Sequence, residues 1–244
     1  MKKYYAMEQE GSTASVTIYG DITSWPWMES DVSSYLLSKQ IDGIEADTLH
    51  VYINSYGGEV GEGLAIYNAL KRHKAKVVTH SDGFACSIAS AIFMAGDERM
   101  MGDASLLMIH NAWSCTSGNA EQLRKAADDL ETISEAVANV YRAAVNIDDA
   151  ELARMLAEET WITPQDAVAM GFATGIETYQ QSKVPAANAR ATVLARVRAS
   201  QAIAKMVPEA IADILFEKFM QGERRKDDPP QTFLGALMRG KDAK

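Results

Sequence analysis

Cysteine is almost absent from this chain of 244 residues, which contains only Cys86 and Cys115. Two cysteines so far apart do not make a disulfide framework, and this scarcity is typical of a reducing cytosol. The sequence has no CxxC pair and no cluster of cysteine with histidine, so a structural zinc site is not expected. No motif indicates a metal or an organic cofactor.

Long apolar runs and basic stripes are missing as well. No stretch approaches the roughly 18 apolar residues of a membrane span. The N-terminal sequence MKKYYAMEQEG starts with positive charge but lacks the apolar segment of a signal peptide. Acidic residues outnumber basic ones by 33 to 24, and the net charge is −9. We therefore expect a soluble cytoplasmic protein with neither a membrane nor a nucleic-acid partner.

The residues that are present have ordinary globular composition, with 47% hydrophobic and 23% charged. Alternating β-branched segments and helix-periodic segments follow one another along the chain, separated by turn residues. This order predicts an α/β fold with largely parallel strands. The expected strands are 14–19, 48–54, 76–81 and 104–112, and the expected helices are 29–40, 62–73, 87–95, 119–145, 148–159 and a short one within 163–172.

The long helix at 119–145 carries an apolar residue about every 3.5 positions, so we expect one of its faces to be buried. After about residue 180 the composition becomes rich in alanine, arginine and glutamine. Residues 208–222 have the pattern of an amphipathic helix, and 223–231 that of a flexible charged segment. We therefore predict a domain at 1–180 and a partly helical, partly flexible appendage at 181–244.

Two glycine-rich turns, at 54–58 and 83–87, each lead from a strand into a helix. The N–H groups at the start of a helix stabilise an anion or a developing oxyanion, and glycine lets the backbone approach a ligand closely. Ser87 therefore has its hydroxyl beside a predicted oxyanion hole. The natural donors in this hole are the N–H groups of Gly58 and Ile88.

A serine nucleophile needs a base, and the chain has four histidines, at 50, 73, 80 and 110. His110 ends the strand pattern SLLMIH, and functional sites of α/β folds form at strand ends. A carboxylate must then orient the histidine. The candidates are Asp148, Asp149, Glu158 and Glu159. The order serine, histidine, acid along the chain points to nucleophilic catalysis.

Four ordered segments resemble motifs of the Clp protease proteolytic subunit family. VYINSYGGEVGEGLAIYNAL is similar to the family's INSPGG…GLAIYD segment, GFACSIASAIFMAG to its G-x-A-A-S-M block, LLMIHNA to its MIHQP block, and WITPQDAVAMGFATGI to its FLSAPEAVEYGLVD segment. The resemblance covers about residues 15–178. It implies a crotonase-like spiral of strand-turn-helix units and serine endopeptidase activity, either independent of ATP or assisted by a partner.

The resemblance also assigns roles. It implies Ser87 as nucleophile and His110 as general base, with oxyanion donors at Gly58 and Ile88. It implies a substrate strand beside Gly57 and Gly58, with Asn111 as a further substrate-binding residue. The family's acid is an aspartate, and the alignment puts Glu159 there; Tyr56 likewise replaces the proline of INSPGG.

The resemblance further implies homo-oligomeric rings, commonly stacked heptamers, with the helix at 119–145 at the ring-to-ring contact. A short start and an added tail are similar to the phage and prophage branch, whose members often act as head maturation proteases in the bacterial host cell. The implied partners are a protein or peptide substrate and, as candidates, a capsid or an unfoldase. A shortened N-terminal segment argues against docking of an ATPase.

Other interpretations stay open at this point. Cys86 is a rival nucleophile because it adjoins Ser87. A Ser–Lys dyad would have to use Lys74 or Lys76. An acyl-CoA enzyme of the crotonase type would share the oxyanion amides without a serine nucleophile. A catalytically degenerate scaffold or assembly subunit would keep the fold and lose the chemistry.

Overall fold

The computed structural model describes residues 7–26, 28 and 30–178. These residues form eight strands and six helices. The strands are β1 (Met7–Glu10), β2 (Thr13–Tyr19), β3 (Thr48–Ser55), β4 (Lys76–Cys86), β5 (Glu98–Gly102), β6 (Leu106–Ile109), β7 (Thr160–Ile162) and β8 (Gly175–Glu177). The helices are α1 (Ser34–Ile41), α2 (Val60–Arg72), α3 (Ile88–Phe93), α4 (Ala120–Arg142), α5 (Asp149–Ala157) and α6 (Pro164–Ala169).

The strands join into one sheet in the order β1-β2-β3-β4-β5-β8, with β6 paired to β4 and β7 paired to β6. The pairs β2–β3, β3–β4, β4–β5, β4–β6 and β5–β8 are parallel. The pairs β1–β2 and β6–β7 are antiparallel. The predicted α/β class with a largely parallel sheet is therefore confirmed.

Strand β3 illustrates how the sequence builds the core. Its burial alternates residue by residue, and Leu49, Val51 and Ile53 are fully buried. These side chains belong to the same apolar cluster as Ile66 and Leu70 of α2. Burial of each such side chain stabilises the fold by about 1.5–3 kcal/mol. The apolar side chains that recur every two residues in β3 and about every 3.6 residues in α2 therefore pack into one apolar core.

Strand β4 is the longest strand of the described residues and changes partners along its length. Residues Val78–Ser81 pair with β5, whereas Phe84–Cys86 pair with β6. The strand therefore passes from one part of the sheet to another before it ends at Cys86. Ser87 follows immediately, at the point where α3 begins.

The elements differ from the prediction in several places. The short strands β1, β5, β7 and β8 were not expected, and the strand predicted at 104–112 is confined to β6. Each unexpected strand has three to five residues. Such short segments carry too few residues for a clear alternation, so pairing rather than local pattern defines them. The amphipathic helix expected at 208–222, the flexible segment expected at 223–231 and the appendage expected at 181–244 lie outside the described residues.

The expectation that one face of the long helix is buried was wrong for its first half. Helix α4, which is described throughout, buries no side chain before Val137. Leu123 and Ile133 are 42% and 39% exposed. The buried residues Val137, Ala138, Val140 and Tyr141 all lie in the last turns. The apolar stripe therefore runs from the core onto the surface of the protomer.

Within the described residues, no helix combines the length and the apolar character that crossing a membrane requires.

Candidate active site

Ser87 occupies a strained turn between β4 and α3. Its backbone angles are φ 54° and ψ −130°, and its N–H donates to the Met108 carbonyl of β6 at 2.8 Å. A non-glycine residue in this region costs about 1–3 kcal/mol, and such conformations cluster at functional sites. The bond to Met108 holds the turn against β6, two residues before His110.

The structure brings Ser87 and His110 into contact. The Nε2 atom of His110 lies 2.7 Å from the Oγ atom of Ser87, within hydrogen-bond distance. The chain after His110 is fixed by two further bonds. The Asn111 N–H donates to the Leu156 carbonyl at 3.0 Å, and the Ala112 N–H donates to the Ser134 hydroxyl at 3.0 Å. Helices α4 and α5 therefore hold the segment that carries the histidine.

The electrostatics of His110 favour its neutral form. Burial lowers the pKa of His110, because the apolar surroundings disfavour the imidazolium, and the negative charge of Glu159 partly opposes this shift. A neutral imidazole can accept a proton on Nε2 when Nδ1 carries the other proton. The arrangement therefore suits a base that takes the proton of the Ser87 hydroxyl.

Glu159 reaches the same region through the pairing of β6 with β7. Ile109 pairs with Thr160, so the next residues outward across this antiparallel pair are His110 and Glu159. Glu159 is exposed and has φ 55°. Among the non-glycine residues that the structure describes, only Ser87 and Glu159 have a positive φ. Both strained positions therefore flank His110.

The other predicted acids are engaged elsewhere. Asp148 caps α5 by accepting from the Glu151 N–H at 2.8 Å. Asp149 accepts from the Arg142 guanidinium at 3.1 Å, and Glu158 forms an ion pair with Arg154. The charge of Glu159, by contrast, acts on His110 and opposes the lowering of its pKa.

The glycine turn at 54–58 packs against the start of α3. A Cβ atom on Gly57 would stand 3.2 Å from the Ile88 nitrogen, so the two backbones are close neighbours. The Ile22 N–H donates to the Gly57 carbonyl, and the Ile22 carbonyl accepts from the Glu59 N–H, both at 2.8 Å. Neither of these two hydrogen bonds uses the N–H of Gly58, which lies between them in the sequence. As the first residue of α3, Ile88 has no carbonyl of its own helix for its N–H to reach. The predicted oxyanion donors therefore lie on adjoining turns.

The rival nucleophile is buried. The Cys86 side chain is completely inaccessible to solvent. Burial, followed by the charge of Glu159, raises the pKa of the Cys86 thiol to about 12. Because the thiolate is the reactive form of cysteine, this thiol is inert at neutral pH.

The remaining candidate bases lie elsewhere. His50 and His80 are hydrogen-bonded to each other at 2.9 Å, and His80 also contacts Glu177 at 3.1 Å. His73 contacts the Ile44 carbonyl at 3.2 Å. Lys76, one of the two lysines of a conceivable dyad, is half exposed and pairs with Glu98 at 2.5 Å. None of these contacts involves Ser87.

Two features of the site were missed by sequence reasoning. Ser90 donates to the Ser87 carbonyl and contacts Tyr141, a buried residue of α4. The spacing of three between Ser87 and Ser90 on a helix was the only signal, and nothing in the sequence pointed to Tyr141. An aromatic group also adjoins the turn, because Phe84 packs edge-on against both Tyr56 and Trp161, with ring centroids 5.9 and 5.4 Å apart.

No group of three or more histidine, cysteine, aspartate or glutamate side chains in the described part of the chain is arranged to hold a metal ion.

Comparison with known proteins identifies the class to which this α/β fold with its serine turn belongs. The family model of the Clp proteases matches residues 12–180. Since this match covers more than half of the sequence, the chain belongs to the Clp protease family.

Two relatives that are similar to this chain carry the same name. An ATP-dependent Clp protease proteolytic subunit of Deinococcus radiodurans is 32% identical over 125 residues, which cover 50% of this chain and 61% of the relative. The subunit of the same name from Borreliella afzelii is 28% identical over 130 residues, covering 52% of this chain and 66% of the relative. In both cases the chain covers less than two thirds of the relative's length.

Proposed function

We propose that the protein is a serine endopeptidase in which Ser87, His110 and Glu159 act as nucleophile, general base and orienting acid. The observation that carries this proposal is the 2.7 Å separation between Ser87 Oγ and His110 Nε2. Membership of the Clp protease family and the names of the two relatives support the peptidase class. The burial of Cys86 and the raised pKa of its thiol support serine as the nucleophile.

The reaction is an acyl transfer to water. His110 Nε2 takes the hydroxyl proton while Ser87 Oγ attacks the carbonyl carbon of a peptide bond. The resulting oxyanion accepts hydrogen bonds from the N–H groups of Gly58 and Ile88. His110 then gives its proton to the leaving amine, and a water molecule releases the acyl group by the same steps. Loss of one oxyanion donor costs on the order of 3 kcal/mol of transition-state stabilisation.

A cleft beside Asn111 is a candidate site for a substrate side chain. It has a volume of about 300 Å³ and lies between the segment after His110 and helices α4 and α5. Its walls include the apolar Leu130, Leu152 and Leu156 together with the charged Arg142. We expect the substrate main chain to add as a strand beside Gly57 and Gly58, which would direct one side chain toward this cleft.

Labelling with a fluorophosphonate probe tests the chemistry. Purified protein is treated with the probe, and the modified residue is mapped by mass spectrometry. Label on Ser87 that disappears in Ser87→Ala and His110→Ala is expected, whereas Ser81→Ala, which alters a buried serine of β4, should label normally. Label elsewhere would overturn the assignment. The absence of label from folded, assembled protein would favour a scaffold that has lost its chemistry.

Assembly into homo-oligomeric rings is the second part of the proposal. The apolar residues of α4 before Val137 support it, since Leu123 and Ile133 are 42% and 39% exposed on the surface of one protomer. The part of α4 that precedes Val137, residues 120–136, is about 25 Å long and is therefore long enough for a substantial contact.

Action on a phage or prophage capsid is the most specific part of the proposal. Its support is the resemblance to the phage and prophage branch, which rests on the short start and on the added residues 181–244 beyond the family match. Co-expression of the protein with candidate head proteins tests this role. Processing of a head protein by the wild type and not by Ser87→Ala is expected. Failure to process any of them, together with cleavage that depends on an unfoldase, would favour general proteolysis.

A further inference from the structure

Ser90 and Tyr141 form a buried pair of hydroxyl groups directly behind Ser87. The Oγ atom of Ser90 lies 2.5 Å from the Ser87 carbonyl oxygen and 2.8 Å from the Tyr141 hydroxyl. Each of the two side chains is only 1% exposed. None of the proposed catalytic steps uses either of them, although the pair contacts the backbone of the nucleophile.

Elementary chemistry fixes the direction of these hydrogen bonds. A carbonyl oxygen can only accept, so Ser90 donates its proton to the Ser87 carbonyl. The Ser90 oxygen must then accept from Tyr141, which donates its phenolic proton. Burial raises the pKa of Tyr141 to about 12, so the phenol keeps this proton at neutral pH. The chain of donation therefore runs from Tyr141 to Ser90 to Ser87.

The Ser87 carbonyl shares a planar peptide unit with the Ile88 N–H. In a trans peptide the two groups point in opposite directions, so whatever holds the oxygen also sets the direction of the N–H. The angles of Ser87 are strained, so the backbone requires support to keep this orientation. Support comes from two donors on the same oxygen, the Ser90 hydroxyl at 2.5 Å and the Ser90 N–H at 3.0 Å.

We propose that Ser90 and Tyr141 are positioning residues that hold the Ser87–Ile88 peptide plane so that the Ile88 N–H faces the oxyanion. The two hydroxyls also polarise the peptide, since a hydrogen bond to its carbonyl makes its N–H a stronger donor. The inference rests on the proposed function, because it concerns the oxyanion hole of that reaction. It adds a second layer behind the hole, built from α3 and α4.

The hydrogen bonds from Tyr141 through Ser90 to the Ser87 carbonyl form a relay, and the kinetics of paired variants test it. Ser90→Ala should lower kcat about tenfold with little change in KM, the size expected for one hydrogen bond that matters only in the transition state. Tyr141→Phe, which keeps the ring, should lower kcat about threefold. Ser90→Thr keeps the hydroxyl and should restore most of the rate. Affinity for a peptide boronate, whose tetrahedral adduct places an oxygen in the hole, should fall in parallel with kcat.

Thr79→Val is the matched control. The Thr79 hydroxyl is also fully buried and donates to a carbonyl of α3, that of Phe93, at 2.7 Å. This bond lies at the opposite end of the helix from Ser87. Thr79→Val should therefore lower the free energy of unfolding as Ser90→Ala does, while kcat and boronate affinity stay at the wild-type values.

The outcomes separate the relay from the proposed function. Equal kcat in Ser90→Ala and Thr79→Val, in an active enzyme, would overturn the relay and leave the peptidase assignment intact. A wild type that neither labels nor cleaves would overturn the proposed function. In that case a crystal structure of Ser90→Ala tests the relay without any measurement of activity. A rotated Ser87–Ile88 peptide is expected, and an unchanged peptide would refute it.

Discussion

Gly57 and Ser87 stand so close together that the nucleophile turn leaves no room for a side chain on the glycine. A Cβ atom on Gly57 would lie 2.7 Å from the Ser87 Cβ and 2.8 Å from the Cys86 carbonyl oxygen. Gly57 also has φ +99°, a conformation that residues with a side chain rarely adopt. The serine and the glycine turn are therefore fitted to each other through backbone, not through side chains.

The first prediction concerns the glycines of this turn. Gly57→Ala should reduce kcat at least about 100-fold, because the added methyl group must displace Ser87 from its contact with His110. Gly58→Ala should destabilise the fold by about 3 kcal/mol or more, since its Cβ would lie 1.9 Å from the Ile22 carbonyl oxygen. Steady-state kinetics and urea unfolding measure the two effects.

Gly61→Ala is the control for both variants. Gly61 lies in α2, and a Cβ atom there would have no neighbour within 4 Å. Alanine should leave activity unchanged and stabilise the helix by roughly 0.5–1 kcal/mol. Wild-type activity in Gly57→Ala would contradict the close fit described above.

The second prediction concerns pH. Because burial lowers the pKa of His110, the acid limb of kcat/KM should have its midpoint below the ordinary histidine value of about 6.5. The same shift makes the neutral form part of the folded state. Its contribution to stability is therefore present above the ordinary pKa and is lost as pH falls through the lowered value.

Glu159→Gln supplies the internal test of this pH profile. The charge of Glu159 raises the pKa of His110, so its removal should move the acid limb to still lower pH. We expect kcat to fall about 10- to 100-fold, less than the roughly 10⁴-fold loss for a buried triad acid, because solvent screens the exposed Glu159. An unmoved limb with unchanged kcat would exclude Glu159 as the orienting acid.

The third prediction separates the two cysteines. Iodoacetamide at neutral pH should modify Cys115, which is exposed, and spare Cys86, whose thiol is buried with a pKa of about 12. Mass spectrometry should find one modified cysteine in the native protein and two after unfolding. Cys115→Ser should then show no native labelling and full peptidase activity. Labelling of native Cys86 accompanied by inactivation would reopen cysteine as the nucleophile.

The fourth prediction concerns the surface of α4. Leu123→Glu combined with Ile133→Glu should convert the proposed ring assembly to smaller species, because the charges would have to be buried in the contact. Light scattering coupled to gel filtration measures the mass, which for one protomer is 26.6 kDa. Thr132→Glu adds the same charge on another side of the helix and should leave the assembly intact. A wild type with the mass of a single protomer would contradict the ring proposal.

Much of the fold could be predicted from local pattern. The strands at 48–54 and 76–81 and the helix at 62–73 combine clear periodicity with turn residues at their ends, and β3, β4 and α2 lie there. The ends of elements were less predictable, because they depend on partners. Strand β4 continues to Cys86 because β6 pairs with its last residues, and the sequence 81–86 by itself resembles a turn.

The parts of the candidate site that lie in sequence motifs could be predicted, whereas the parts that depend on tertiary contacts could not. Ser87 and His110 stand in motifs whose residue types suit their chemistry. Residue pattern left four carboxylates open, and only the family resemblance pointed to Glu159. The register of β7 against β6, which brings Glu159 opposite His110, involves a strand of only three residues and has no local signal. Tyr141 acts from 54 positions further along the chain than Ser87, so no local pattern connects the two.

The antiparallel pairing of β6 with β7 also bears on the order in which the proposed triad is assembled. Ser87 and His110 are synthesised well before Thr160–Ile162, yet Glu159 faces His110 only once that strand has paired. A growing chain therefore holds a nucleophile and a base without the third group of the proposed triad. Because translation proceeds from the N-terminus, the proposed triad is complete only after nearly all of the described domain has been synthesised.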